Sequence, residues 1–159
     1  MSLVAACGGA DDDSDDTGTS ATASNEPVGQ DEQVDACALL TEEEAAEALG
    51  SNVEPGEPSD FAPFFGCRWA VDGTLDYVDV TVLTGTSTEL EYYFELTDET
   101  ESVDGYEEKA QWAEHTGTFE VLTEDYDVSV GVGVLNREPV EAKEIAIGLM
   151  EKVLSRLEQ

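Results

Sequence analysis

Basic residues are what this chain has least of. Six Lys and Arg stand against 38 Asp and Glu in 159 residues, a formal charge of −32. Nine of the acids precede Cys37, so the rest of the chain still carries 29 acids against all six bases, a net −23. Such a surface repels phosphate backbones and anionic headgroups. It excludes nucleic acid as a partner and adsorption to lipid through basic contacts. The acidity is spread along the chain, as salt adaptation spreads it, whereas a cation site would gather it. Histidine is nearly absent as well. The single His115 stands beside Thr116-Gly117, a turn signal, and no Gly-x-Ser-x-Gly elbow supplies a nucleophile, so it is expected to be exposed and not catalytic. One His and a few Cys fall short of a structural zinc set. The run Asp11-Asp12-Asp13-Ser14-Asp15-Asp16 lacks the bidentate Glu of a calcium loop. Neither a metal nor a cofactor is therefore expected. No apolar run approaches the roughly 18 residues of a membrane-spanning helix.

What is present at the N-terminus is more telling. Leu3-Val4-Ala5-Ala6-Cys7-Gly8-Gly9 is a short apolar stretch of mostly small residues ending in a Cys, with the acidic run directly behind it. It looks like the lipobox of a bacterial lipoprotein, in which the Cys is lipidated and becomes the mature N-terminus. Met1 to Ala6 is shorter than the apolar run of a secretory signal, so this reading expects a longer leader upstream. Residues 1–7 are then the remnant of a lipoprotein signal, and attachment to the membrane runs through acyl chains on Cys7. Residues 8–36 are rich in Ser, Thr, Gly, Ala and Asp, bury too little to offset the entropy of ordering, and read as a disordered acidic tether. Residues 37–159 form the globular unit.

Of the three Cys, the lipobox accounts for Cys7 and leaves Cys37 and Cys67 as a pair. An exported chain sits in an oxidising compartment, where a disulfide between them is expected. Closing a loop of about 30 residues stabilises a fold by about 3–4 kcal/mol in the chain-entropy model.

The clearest local signal is Thr41-Glu42-Glu43-Glu44, a capping box opening a short helix that stops at Gly50. The stretch 51–63 contains Pro55, Gly56, Pro58 and Pro63 and reads as a loop. Phe64 to Val71 and Tyr77 to Leu83 read as a hairpin around Asp72-Gly73, with Val78, Val80 and Val82 on one face. Thr88 and Glu91 suggest a second capping box, opening a helix with Leu90, Tyr93, Phe94 and Thr97 on one side. Tyr106 to Ala113, Thr118 to Thr123 and Asp127 to Leu135 read as three more strands, the last with Val128, Val130, Val132 and Val134 on one face. Glu138-Pro139 starts a long helix whose stripe is Ala142, Ile145, Ala146, Leu149, Met150, Val153 and Leu157. The expected fold is α+β: a single antiparallel sheet of about five strands with three helices, packed mainly on one face.

Gly131 and Gly133 alternate with the last strand's valines. They leave a flat strip on the opposite sheet face, where another backbone or a flat ligand can approach. Trp69, Tyr77 and Trp112 are candidates to border this ligand-facing surface. The competing reading is that the aromatics fill the core and the glycines relieve crowding.

Cys37-x-Leu39-Leu40-Thr41-x-x-Glu44-Ala45 with Gly50, followed by Cys67-Arg68-Trp69, resembles a domain family of unknown function in actinobacterial cell-envelope lipoproteins. The resemblance implies a Cys37–Cys67 disulfide and brings no catalytic residues with it. The reading that follows is a non-enzymatic, lipid-anchored, extracytoplasmic binding or interaction module, monomeric, with an envelope protein or small ligand as partner. A sensor or carrier for small apolar molecules is the alternative, and a carboxylate-dependent hydrolase is a third.

Overall fold

Six valines make the centre of this fold. On β3 (Tyr77–Thr84) Val78, Val80 and Val82 stand opposite Val132, Val130 and Val128 of the antiparallel β7 (Tyr126–Gly133). All six are buried. Their β-branched side chains suit a pleated surface, and each contributes about 1.5–3 kcal/mol when fully buried. The structure, a computed structural model, describes residues 34–106, 109–135 and 137–157. The lipobox with Cys7 and residues 8–33 of the expected tether lie outside the described residues.

Outward from this pair, β2 (Phe64–Ala70) joins β3, and β1 (Glu57–Phe61) joins β2. On the other side β6 (Thr118–Leu122) joins β7, followed by β5 (Lys109–Ala113) and the three-residue β4 (Thr100–Ser102). The order β1-β2-β3-β7-β6-β5-β4 makes one sheet of seven antiparallel strands. The α+β class and the single antiparallel sheet stand. The count of about five does not, because β1 and β4 were not expected. Glu57-Pro58-Ser59-Asp60-Phe61 carries no hydrophobic alternation and is exposed at every residue. It is a polar edge strand held by its backbone ladder to β2, and the Ala62–Pro63 peptide that follows it is cis. The strand expected from Tyr106 begins at Lys109.

Helix α1 (Glu42–Leu49) forms as its sequence dictates. The Thr41 hydroxyl accepts from the Glu44 amide, the Glu44 carboxylate accepts from the Thr41 amide, and Gly50 closes the helix in the left-handed region. Helix α3 (Pro139–Leu157) buries Ala142, Ala146, Leu149, Met150 and Val153. With α1 and a 3₁₀ turn at Ala36–Ala38, it covers the valine face, which also receives Trp69, Trp112 and Phe119.

Helix α2 (Ser87–Leu96) departs from expectation twice. Its capping box is Thr86 with Glu89, not Thr88 with Glu91. Both pairs have the right spacing, and β3 ends at Thr84, so the earlier Thr is the first free to cap. The helix also lies on the sheet face opposite α1 and α3. Gln111 alternates with the core residues Ala110 and Trp112 along β5, and its Nε2 donates to the Phe94 carbonyl of α2. Of the residues expected on its inner side, Leu90 and Phe94 are buried, whereas Tyr93 is 37% exposed at the rim.

The scarce bases are all engaged. Arg156 of α3 forms a double hydrogen bond with Glu44 of α1 at 2.8 and 2.9 Å, and also reaches the Leu39 carbonyl at 2.8 Å. Lys152 lies 3.5 Å from the same carboxylate. Arg137 donates to the Ala48 and Leu49 carbonyls at the C-terminal end of α1, where a cation complements the helix dipole. Arg68 pairs with Asp79, Lys109 with Glu91, and Lys143 with Glu101.

Candidate functional site

The Cys37–Cys67 disulfide is formed, with Cα atoms 5.0 Å apart across a separation of 30 residues. It staples the segment before α1 to the middle of β2. Together with the Arg156–Glu44 clasp it ties both ends of the described chain to the valine face.

The five residues expected to share a ligand-facing surface divide between the two faces. Trp69 and Trp112 are 1% and 2% exposed and belong to the core under α1 and α3. The alternation of β2 and β5 puts them on the valine side, so they do not border the glycine strip. Tyr77, Gly131 and Gly133 do lie together on the opposite, outer face, because Tyr77 stands opposite Gly133 and Asp79 opposite Gly131. The strip is not open, however. A methyl group at Gly133 would collide with the Tyr77 ring, and one at Gly131 with the Asp79 carboxylate. The glycines make room for those two side chains. Arg68 then lies over the Tyr77 ring at 4.2 Å and bonds Asp79 at 2.7 Å, closing a small polar cluster over the backbone. Its close approaches are satisfied within the chain.

The same face is built differently where α2 crosses it. There β6 and β7 present Glu120 and Asp127, 8% and 6% exposed. Glu120 stands opposite Ser129, and Asp127 lies two residues along β7 on the same face, so the carboxyl groups meet diagonally and hydrogen-bond each other. Glu120 Oε2 also accepts from Gln111 Nε2 at 2.6 Å, and its carboxyl accepts from Thr97 at the end of α2. Gln111 in turn donates to the Phe94 carbonyl at 2.7 Å, and its Oε1 accepts from the Thr100 hydroxyl at 3.0 Å. The network fastens α2 to the sheet. Asp127 is less well served: its Oδ1 receives no hydrogen bond from any N–H or O–H among the described residues.

Burial pushes the Asp127 carboxyl up to about 8, and the neighbouring Glu120 adds to the shift. Burial also raises Glu120, while its donors Gln111, Thr97 and Asp127 act in the other direction. Two like charges in contact in a desolvated site cannot both ionise at neutral pH, so the pair holds one proton. The two carboxyls share it.

A cavity of about 190 Å³ opens beside this pair, lined also by Phe64, Thr81, Leu83, Tyr93, Thr97 and Ser129. The Phe64 and Tyr93 rings meet edge to face at 5.5 Å on one wall. The arrangement brings a carboxyl pair holding one proton, hydroxyl-bearing residues and two aromatic rings to one small recess. His115 is exposed in the turn between β5 and β6, apart from this constellation. Among the described residues no group of three or more His, Cys, Asp or Glu is placed to hold a metal ion.

Sequence reasoning singled out neither Glu120 nor Asp127. The available signal was their position: acidic residues inside strands, alternating with Phe119, Val121 and Val128, on a face that becomes buried only when a helix crosses it. Once that helix is assigned to the valine side, both read as solvated.

A model of the family described as "Protein of unknown function (DUF3558)" matches residues 2–146 of the 159. No curated protein and no solved structure matches the chain.

Proposed function

This chain belongs to the DUF3558 family of proteins of unknown function, and from that premise we propose that it is the extracytoplasmic domain of a lipid-anchored cell-envelope protein of the actinobacterial lipoprotein type. Its work is to bind a small polar ligand, and it does no chemistry on it. Cys7 carries the anchor and residues 8–36 are the tether. The domain acts as a monomer outside the membrane. The Cys37–Cys67 disulfide supports the location, because such a bond persists in an oxidising compartment. The observation that carries the binding role is the recess under α2, where a buried carboxyl has an oxygen without a donor. Buried polar atoms in native proteins are nearly always satisfied, and an unsatisfied one on a residue that lines a cavity suits a partner from outside.

A carrier of apolar molecules is less well supported, since this recess is lined by acids and hydroxyls as well as rings. The carboxyl pair also gives a hydrolase reading some footing. Yet glycoside hydrolysis needs its two carboxyls about 5–9.5 Å apart, to leave room for the sugar carbon or a water. Glu120 and Asp127 touch each other.

Two experiments test the proposal. Expression with a complete leader in a lipoprotein-processing host, with radiolabelled palmitate, is expected to label the wild type and not Cys7→Ser; equal labelling of both would refute the anchor. A small-molecule thermal-shift screen is expected to yield ligands whose stabilisation disappears in Asp127→Asn; hits indifferent to that change would place binding elsewhere.

A further inference from the structure

The recess between α2 and the outer sheet face has a definite ligand chemistry. Asp127 is buried, with 6% of its surface exposed, and its Oδ1 lacks a donor. Glu120 stands in contact with it. The chain has six bases, and each already bonds an acid or a carbonyl elsewhere, so no internal cation neutralises this pair. A cation that pairs with these carboxyls has to come from outside the chain. A divalent metal needs more oxygen ligands than two carboxylates in contact supply, about six to eight for calcium. An ammonium group needs fewer. It has three N–H donors, and the recess offers the Asp127 and Glu120 carboxyls as acceptors, with the hydroxyl-bearing Thr81 and Ser129 also in its lining. The alkyl part of such a ligand has an apolar wall in Phe64 and Tyr93, whose rings also favour a cation. The cavity of about 190 Å³ is smaller than the roughly 300–1,000 Å³ of drug-sized pockets. At about 30 Å³ per water it holds about six waters, the space of a short aliphatic chain.

We propose that this recess is the binding site of a small protonated alkylamine, whose ammonium group sits against the Asp127 and Glu120 carboxyls. The inference rests on the reading of the domain as a binding module. It sharpens what that module binds. Binding is a balanced exchange: one ammonium enters, one proton leaves the carboxyl pair for solvent, and the site keeps its charge. The strongly acidic exterior raises the local concentration of such cations. The titratable groups facing the recess are Glu120 from β6, Asp127 from β7 and Tyr93 from α2.

The test is isothermal titration with n-butylammonium chloride, and with n-butanol as its uncharged match. Runs at about pH 6.5 and about pH 8.5, in buffers of different ionisation enthalpy, count the protons released. Butylammonium is expected to bind about tenfold more tightly per pH unit until Asp127 ionises by itself, and to release about one proton at the lower pH. Butanol is expected to bind at least about tenfold more weakly. Asp127→Asn is expected to abolish both the pH dependence and the proton release. Tyr93→Ala, at the exposed rim, is expected to weaken binding about threefold or more without loss of the fold. Glu43→Gln, an exposed acid on α1, controls for general attraction to the acidic surface and is expected to change nothing. Equal binding of butanol would overturn the ammonium class and leave the binding module standing. Weakening by Glu43→Gln as large as by Asp127→Asn, or no binding of either probe, would overturn the site itself.

Discussion

Glu44 is a half-buried carboxylic acid and Asp127 a buried one, and the two faces of the sheet treat them in opposite ways. On the inner face Arg156 holds Glu44 well below the usual range, from 4.5 down to about 2, with the Thr41 amide and hydroxyl assisting. On the outer face burial holds Asp127 well above it, from 3.8 up to about 8, with Glu120 adding repulsion. One face spends a scarce base on its acid and becomes a clasp. The other leaves its acid without a base and becomes a recess with a proton in it. In a chain of six bases, where the bases are not is as informative as where they are.

The two sites also oppose each other in their pH dependence. A depressed folded-state value, as at Glu44, stabilises the fold above about 4.5, and that contribution is lost as pH falls towards about 2. A raised value, as at Asp127, stabilises the fold in acid relative to base. That contribution is full below about 4 and is lost as pH rises through about 8.

The largest test of the inner face is its staple. Cys37→Ala, or reduction of the disulfide, is expected to cost about 2–5 kcal/mol in chemical denaturation, with both faces unfolding together. Separate transitions would show that the clasped and unclasped faces are not one cooperative unit. Arg156→Ala attacks the clasp alone. It is expected to cost about 1.5–3 kcal/mol at neutral pH and to flatten the stability profile between about pH 2 and 4.5. On the outer face, Gly133→Ala drives a methyl group into the Tyr77 ring and is expected to cost about 1–3 kcal/mol without altering ligand binding under α2. Asp127→Asn has the opposite sign. It mimics the protonated acid, so it is expected to be nearly neutral below about pH 4 and to stabilise by at least about 1–2 kcal/mol near pH 9. Last, added NaCl screens the acidic surface of both faces, and a Tm rise of about a few degrees towards molar salt is expected. A fall in Tm would reject salt adaptation.

The legible parts of the fold were those in which local chemistry and burial agree. Thr41, Glu44 and Gly50 mark α1 because caps are made by neighbours in sequence. Val78, Val80 and Val82, like Val128, Val130 and Val132, alternate because they fill one core. The pairing of Cys37 with Cys67 followed from setting Cys7 aside. The edge strands were not legible, because β1 and β4 are held by backbone hydrogen bonds to their neighbours and need no apolar pattern. Most of the proposed site was illegible for a related reason. Ser-Thr-Glu-Leu-Glu-Tyr-Tyr-Phe does not announce which sheet face α2 covers, and only that choice turns Gln111, Glu120 and Asp127 from surface groups into buried ones. Trp69 and Trp112 could be read either way for a similar reason, since an aromatic in a strand does not declare its side, and the reading that puts them in the core is the one the structure bears out.

The account turns on the contrast between Glu44 and Asp127, and both can be followed in one experiment: a carbon-detected NMR titration of the side-chain carboxyls on the folded, oxidised protein. The prediction is that Glu44 stays ionised down to about pH 2 while Asp127 keeps its proton up to about pH 8, its midpoint shifting in Glu120→Gln. An Asp127 that titrates near 4 would contradict the account, because the two faces would then treat their acids alike.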